Sequence, residues 1–128
     1  MFTIRKELHA SFDEALLRVP EALASEGFGV LTEIDVQSTL KAKLGVDFRR
    51  VRVLGACSPS FAYEVLREDL AAGVLLPCSV VVYEEDDGHA VVTAADPTRT
   101  VAAIDSPNLS VLAESVRRKL SRAVSKLE

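Results

Sequence analysis

The residues of this chain best suited to chemistry are its two thiols, Cys57 and Cys78. Cys57 stands directly before Ser58-Pro59, a pair that starts helices. Ser58 offers a hydroxyl acceptor to the free amides of the first turn, and Pro59 takes the first helical position, where its missing N–H costs nothing. A thiol placed there lies near the positive end of the helix dipole, which favours the thiolate and lowers its pKa. The run Cys57-Ser58-Pro59-Ser60 also has the Cys-x-x-Ser spacing of monothiol redox sites, although no other part of such a motif accompanies it. The plainer reading of Cys57 is a small buried hydrophobe.

Cys78 shares a face with Val80 and Val82 in the most apolar stretch of the chain, so packing is its expected role. Whether the two sulfurs meet depends on what joins them. A crossover helix of about 14 residues rising about 1.5 Å each carries the chain about 20 Å down the sheet, which starts Cys78 near the opposite end from Cys57. Only a strand beginning near Val74 and climbing about 3.3 Å per residue would bring them together. Two sulfurs leave a zinc ion short of its usual four ligands, so no metal and no cofactor are expected.

The acids and histidines add less. Glu33 and Asp35 end an expected strand, a position that often lines a cleft, and Asp35 also suits a helix cap. With Cys57, Ser58 and Cys78 they form the candidate binding set, and Cys57 is the candidate catalytic thiol. Glu84 to Asp87 are the solvated charge of a hairpin tip rather than a cation site. His9 and His89 are isolated by sequence in expected turns, without a visible acid or nucleophile partner, and neither is assigned a role. Arg118, Lys119, Arg122 and Lys126 follow helical spacing and match the negative end of their own helix, which makes a solvated face the expected reading over a phosphate patch.

Those residues must be positioned by regular elements. Phe2 to Leu8 alternates as a strand, and Ser11 and Glu14 have the spacing of a capping box opening a helix whose stripe is Phe12, Leu16, Val19 and Leu23. Phe28 to Ile34 is a second strand. Asp35 then caps a short helix carrying Val36, Leu40 and Leu44, closed by Gly45. Arg50 to Ala56 is a third strand. The helix after Ser58-Pro59 is expected to present Ala62, Val65, Leu66 and Leu70 and to close at Gly73. Val74 to Tyr83 reads as a strand buried on both faces. Asp87-Gly88 marks a tight hairpin into a fifth strand, His89 to Ala95. Ser106-Pro107 opens the clearest amphipathic helix, with Leu109, Leu112, Val116, Leu120, Val124 and Leu127 on one side. The order β-α-β-α-β-α-β-β-α implies an α+β, two-layer fold with a mixed sheet of about five strands, the early crossovers being long enough for parallel pairing.

Bulk properties narrow the classes. The 128 residues suit one domain, residues 1–128, and 48% apolar content is enough for a core. A formal charge of −4 argues against general nucleic-acid binding. No apolar run reaches the roughly 20 residues needed to span a bilayer and the N-terminus lacks an apolar signal core, so a cytoplasmic, soluble protein with no membrane partner and reduced thiols is expected.

Four blocks, GFGVLTEIDV (Gly27 to Val36), TLKAKLGVDFR (Thr39 to Arg49), LGACSP (Leu54 to Pro59) and LLPCSVVVYEEDDG (Leu75 to Gly88), resemble the family known as domain of unknown function 302. The resemblance runs through nearly the whole chain. It implies a small bacterial or archaeal α+β domain that forms a homodimer, and it carries no assigned reaction. The positions matching the family pattern are Glu33, Asp35, Cys57, Pro59, Pro77, Cys78, Tyr83 and Glu84, while Ser58 and Ser79 stand where family members have asparagine after each cysteine.

Two functions follow as expectations. The first is a non-enzymatic domain, a homodimer that takes a small ligand or a protein partner. The second is a thiol-dependent enzyme or redox sensor using Cys57. No known catalytic motif is complete in the sequence, which favours the first.

Overall fold

The structure is a computed structural model that describes residues 3–128; Phe2, expected to open the first strand, lies outside the described residues. Five strands form one sheet in the order β1-β5-β4-β3-β2, with β1 at Thr3–Ser11, β2 at Gly29–Asp35, β3 at Val51–Cys57, β4 at Cys78–Glu84 and β5 at His89–Ala95. The helices are α1 (Phe12–Ser25), α2 (Val36–Leu44), α3 (Pro59–Glu68), α4 (Pro97–Thr100) and α5 (Pro107–Ser125). The α+β class holds, but the expectation of a mixed sheet does not, because every neighbouring pair is antiparallel. The reason lies in the connections. Those through α2 and α3 bring the chain back to the end of the sheet that it left, so the next strand runs down beside the last. Only the connection through α1 carries the chain from one edge to the other.

The helix starts follow their capping residues. Ser11 accepts a hydrogen bond from the Glu14 amide at 3.2 Å, Asp35 from Ser38 at 3.0 Å and Ser106 from Leu109 at 3.2 Å. Asp69 adds a start that the hydrophobic pattern hides. Its side chain accepts from the Ala71 amide and its backbone is extended, so α3 stops at Glu68 and a 3-10 turn runs over Leu70–Leu75. Gly73 therefore closes nothing. The buried residues of α3 are Phe61 and Val65, while Leu66 and Leu70 are exposed. The fourth strand likewise begins at Cys78 rather than Val74, and its burial alternates instead of covering both faces. α2 keeps its expected bounds but buries none of its residues.

One core joins the helices to one side of the sheet. Phe12, Ala15, Val19 and Leu23 of α1 pack with Leu54 and Ala56 of β3, Val80 and Val82 of β4, Val92 and Ala94 of β5, and Leu109, Ala113 and Leu120 of α5. The C-terminal end of α5 is pinned by Lys6, whose ammonium donates to the carbonyls of Ser125 and Leu127. Arg122 and Lys126 do not simply face solvent. They meet Glu26 at 2.9 and 2.6 Å and hold its carboxyl below the usual range, Lys126 contributing most.

The hairpin between β4 and β5 is a three-residue loop rather than a two-residue turn: the Glu85 amide donates to the His89 carbonyl at 2.8 Å, and Gly88 closes the loop at φ 88°. That conformation is strained for a residue with a Cβ even where space is open. Gly88→Val is expected to lower stability by about 1 kcal/mol or more. Thermal unfolding checks this, and an unchanged melting temperature would contradict it.

Candidate functional site

Strand pairing decides where the thiols lie. Ala56 is paired directly with Cys78, and Cys57 with Gly29. The end of β3 and the start of β4 are therefore neighbours, not opposite ends of the sheet, because α3 and the 3-10 turn return the chain to its point of departure. Side chains of directly paired residues project to one face, and successive residues to opposite faces. Cys78 thus joins Ala56, Val80 and Leu54 on the helix-covered face, while Cys57 belongs to the other face with Gly55 and Val53. No disulfide joins the two cysteines, of which Cys57 is half-buried and Cys78 buried.

Burial pushes the Cys78 thiol from 9.0 up to about 11, and charge on Cys57 pushes the same way. Between those values an unfolded chain loses a proton that the folded chain keeps, so stability is full below about pH 9 and declines as pH rises towards 11, by about 2–3 kcal/mol at most. Urea unfolding at pH 8 and pH 10.5 is expected to show this decline in the natural chain and a smaller one in Cys78→Ala. Equal declines would contradict it.

Ser58 caps α3 by position, yet its side chain makes no capping hydrogen bond. The hydroxyl is left to a cleft of about 480 Å³ between the start of α3 and α5, lined also by Phe61, Tyr63, Asn108 and Lys119. Sequence alone could not show this cleft, since its walls are some fifty residues apart.

Beside Cys57 the backbone of Gly55 is closely covered. A Cβ added there would lie 2.3 Å from the Thr32 hydroxyl and 2.7 Å from the Pro77 ring. The Leu76-Pro77 peptide is cis.

Glu33 and Asp35 lie elsewhere. Arg52 reaches Glu33 at 2.7 Å and Asp35 at 3.2 Å, and Asp35 also caps α2. Asp35 pairs with Arg52, five residues before Cys57 on β3, which is about 17 Å along the strand. The candidate set is therefore divided between two places. Glu84 is likewise held by an arginine, Arg50 at 2.8 Å. All three acids are partners of fixed guanidinium groups.

The face that carries Cys57 lies outside the helical core, although Val91 on it is buried. Val51, Val53, Val81, Tyr83, Thr93 and Ala95 are half-buried there, and Ile34 is 51% exposed at its edge. None of these residues belongs to the core cluster that takes in the buried apolar side chains of the helices. Among the described residues no helix is long and apolar enough to cross a membrane.

His9 and His89, left without partners by their sequence positions, come together at one end of this face. Their ring centres are 6.1 Å apart at an interplanar angle of 82°.

A profile described as domain of unknown function DUF302 matches residues 4–127. Among solved structures, the fold is similar to the crystal structure of an uncharacterized conserved protein DUF302 from Bacillus stearothermophilus, with a TM-score of 0.90 and 32% identity over 100% of this chain and 99% of that one. No curated protein sequence matches.

Proposed function

The chain belongs to the DUF302 family, and from that premise we propose that it is a non-enzymatic binding domain working as a homodimer, two copies meeting through the outward sheet face and presenting their clefts to a small ligand or a protein partner. The observation that carries this reading is the apolar sheet face outside the helical core, where Val51, Val53 and Val81 stay part-exposed although Val91 on the same face is buried. Val53 and Val81 are paired neighbours near its centre, and a two-fold axis sets such a patch against itself. Five strands spaced about 4.8 Å apart and seven residues rising about 3.3 Å each give a footprint of about 550 Å² per copy. Two such faces bury about 1,100 Å², just above the roughly 1,000 Å² that a specific interface needs. Charge at the margin suits self-pairing too, since Arg5 and Glu7 of the edge strand β1 supply both signs.

The cleft between α3 and α5 supports the ligand part of the reading. Its volume of about 480 Å³ falls in the range of small-molecule sites, and it combines aromatic walls with hydroxyl, amide and ammonium groups.

Val81→Arg tests the assembly. The arginine would set two like charges against each other across the axis, while the side chain, being outside the core, can be changed without opening it. Sedimentation should give a monomer with an unaltered circular dichroism spectrum. A variant that sediments as the natural chain does would remove the reading.

A further inference from the structure

We propose that His9 and His89 form a binding site for a divalent transition-metal ion of the zinc, nickel or copper(II) class, against the sequence expectation of no metal. The site rests on its own geometry and is independent of how the chain assembles.

The two imidazoles come from the outer strand β1 and its neighbour β5, eighty residues apart. A register shift between Glu7 and Ser11 in the pairing of β1 with β5 sets Ser11 opposite His89 and leaves His9 within the bulge. Bulges of this kind re-aim a side chain and recur beside functional sites. Metal–nitrogen bonds of about 2.0–2.1 Å put an ion about 3.2 Å from each ring centre, so two imidazoles sharing one ion have centres about 5.2 Å apart at the tetrahedral angle of zinc and about 6.4 Å apart when they stand trans on nickel or copper(II). The observed separation of 6.1 Å lies between the two values, and the two exposed rings need close by only about 1 Å to hold a tetrahedral ion.

The surroundings match the pattern of histidine metal sites. Asp87 accepts a hydrogen bond from the His89 amide at 2.9 Å and lies 3.1 Å from Nδ1 of its ring. A carboxylate on Nδ1 fixes the tautomer that leaves Nε2 free for a metal and makes that nitrogen a better donor. Both histidines are exposed, and they line a cleft of about 420 Å³ together with Glu7, Glu85, Asp86 and Asp87. Arg5 bonds Glu7 and Arg49 bonds Asp86, so the acids still outnumber the cations at the rim and the local potential favours a positive ion.

This is a two-imidazole site rather than a closed cage. Among the described residues no three histidine, cysteine, aspartate or glutamate side chains converge in metal-holding geometry. The ion takes two nitrogens from the protein and fills its shell with water and with Glu7 or Glu85, whose flexible side chains reach over the same cleft. Borderline-soft ions that prefer imidazole are bound, and magnesium and calcium, which prefer all-oxygen shells, are not.

Calorimetric titration of the full chain with zinc or nickel, without chelator, tests the site. One ion per chain should bind saturably. His9→Ala and His89→Ala, both exposed substitutions that leave the core intact, should each weaken binding by about tenfold or more, and Asp87→Asn by a smaller factor. Cys57→Ser should bind as the natural chain does. In nuclear magnetic resonance spectra of the natural chain the imidazole signals of both histidines should shift together with added ion. No saturable binding, affinities in both alanine variants within about twofold of the natural chain, loss of binding in Cys57→Ser, or a shift of one histidine alone would overturn the proposal.

Discussion

Phe12→Ala is expected to destabilise the fold by about 3–5 kcal/mol. Phe12 is the first residue of α1 and only 1% exposed. Its ring fills the core where α1 meets the sheet, and the Arg50 guanidinium lies 4.6 Å above the ring centre. Arg50 is held there by Asp13 at 3.0 Å and Glu84 at 2.8 Å. Truncation therefore leaves a cavity and removes a cation–π contact worth about 0.5–1 kcal/mol at a part-exposed site. A domain of this kind is stable by about 5–15 kcal/mol in all, so about a fifth or more of the margin goes. Urea unfolding measures it, and a loss below about 1.5 kcal/mol would show that the ring is not the wedge described.

The second large effect is expected at Gly55, next but one to Cys57. Gly55→Ala sets a methyl group 2.3 Å from the Thr32 hydroxyl and 2.7 Å from the Pro77 ring, closer than atoms can sit. Thr32 is exposed and can turn away. The proline ring cannot, so β3 or the start of β4 must shift, at about 1–3 kcal/mol. Combining Gly55→Ala with Thr32→Ala should recover only part of the loss, because the ring remains. Full recovery would place the whole conflict on the threonine, and an unchanged stability for Gly55→Ala alone would contradict the packing.

Much of this fold is legible in the sequence wherever a local signal governs. Ser11, Asp35 and Ser106 cap helices as their side chains predict, His89–Ala95 is a strand with the expected bounds, and the stripe of the last helix is buried at Leu109, Val116, Leu120, Val124 and Leu127. What failed depended on long-range pairing or on one local cap that the hydrophobic pattern hides. The apolar run from Val74 looked like one buried strand, but Asp69 winds its first part into a 3-10 turn and leaves Val74 exposed. That turn is also what returns β4 beside β3, reverses the expected parallel pairing and makes the two thiol positions neighbours on opposite faces. The candidate set was half legible for the same reason. Residue type pointed to Cys57, Ser58, Cys78, Glu33 and Asp35, but only the register shows that the acids are bound to Arg52 well away from the thiols. The pairing of His9 with His89 had no local signal, since it arises from a bulge and from strands distant in sequence.

If a second copy binds the outward face of the sheet, as proposed, the natural chain is a dimer in solution. Light scattering coupled to size exclusion, on the natural chain at micromolar concentration, tests it most directly. The expected mass is twice the 13.8 kDa of one chain, falling towards a single chain only on strong dilution, as mass action requires. A mass of one chain that stays constant as concentration rises would contradict it.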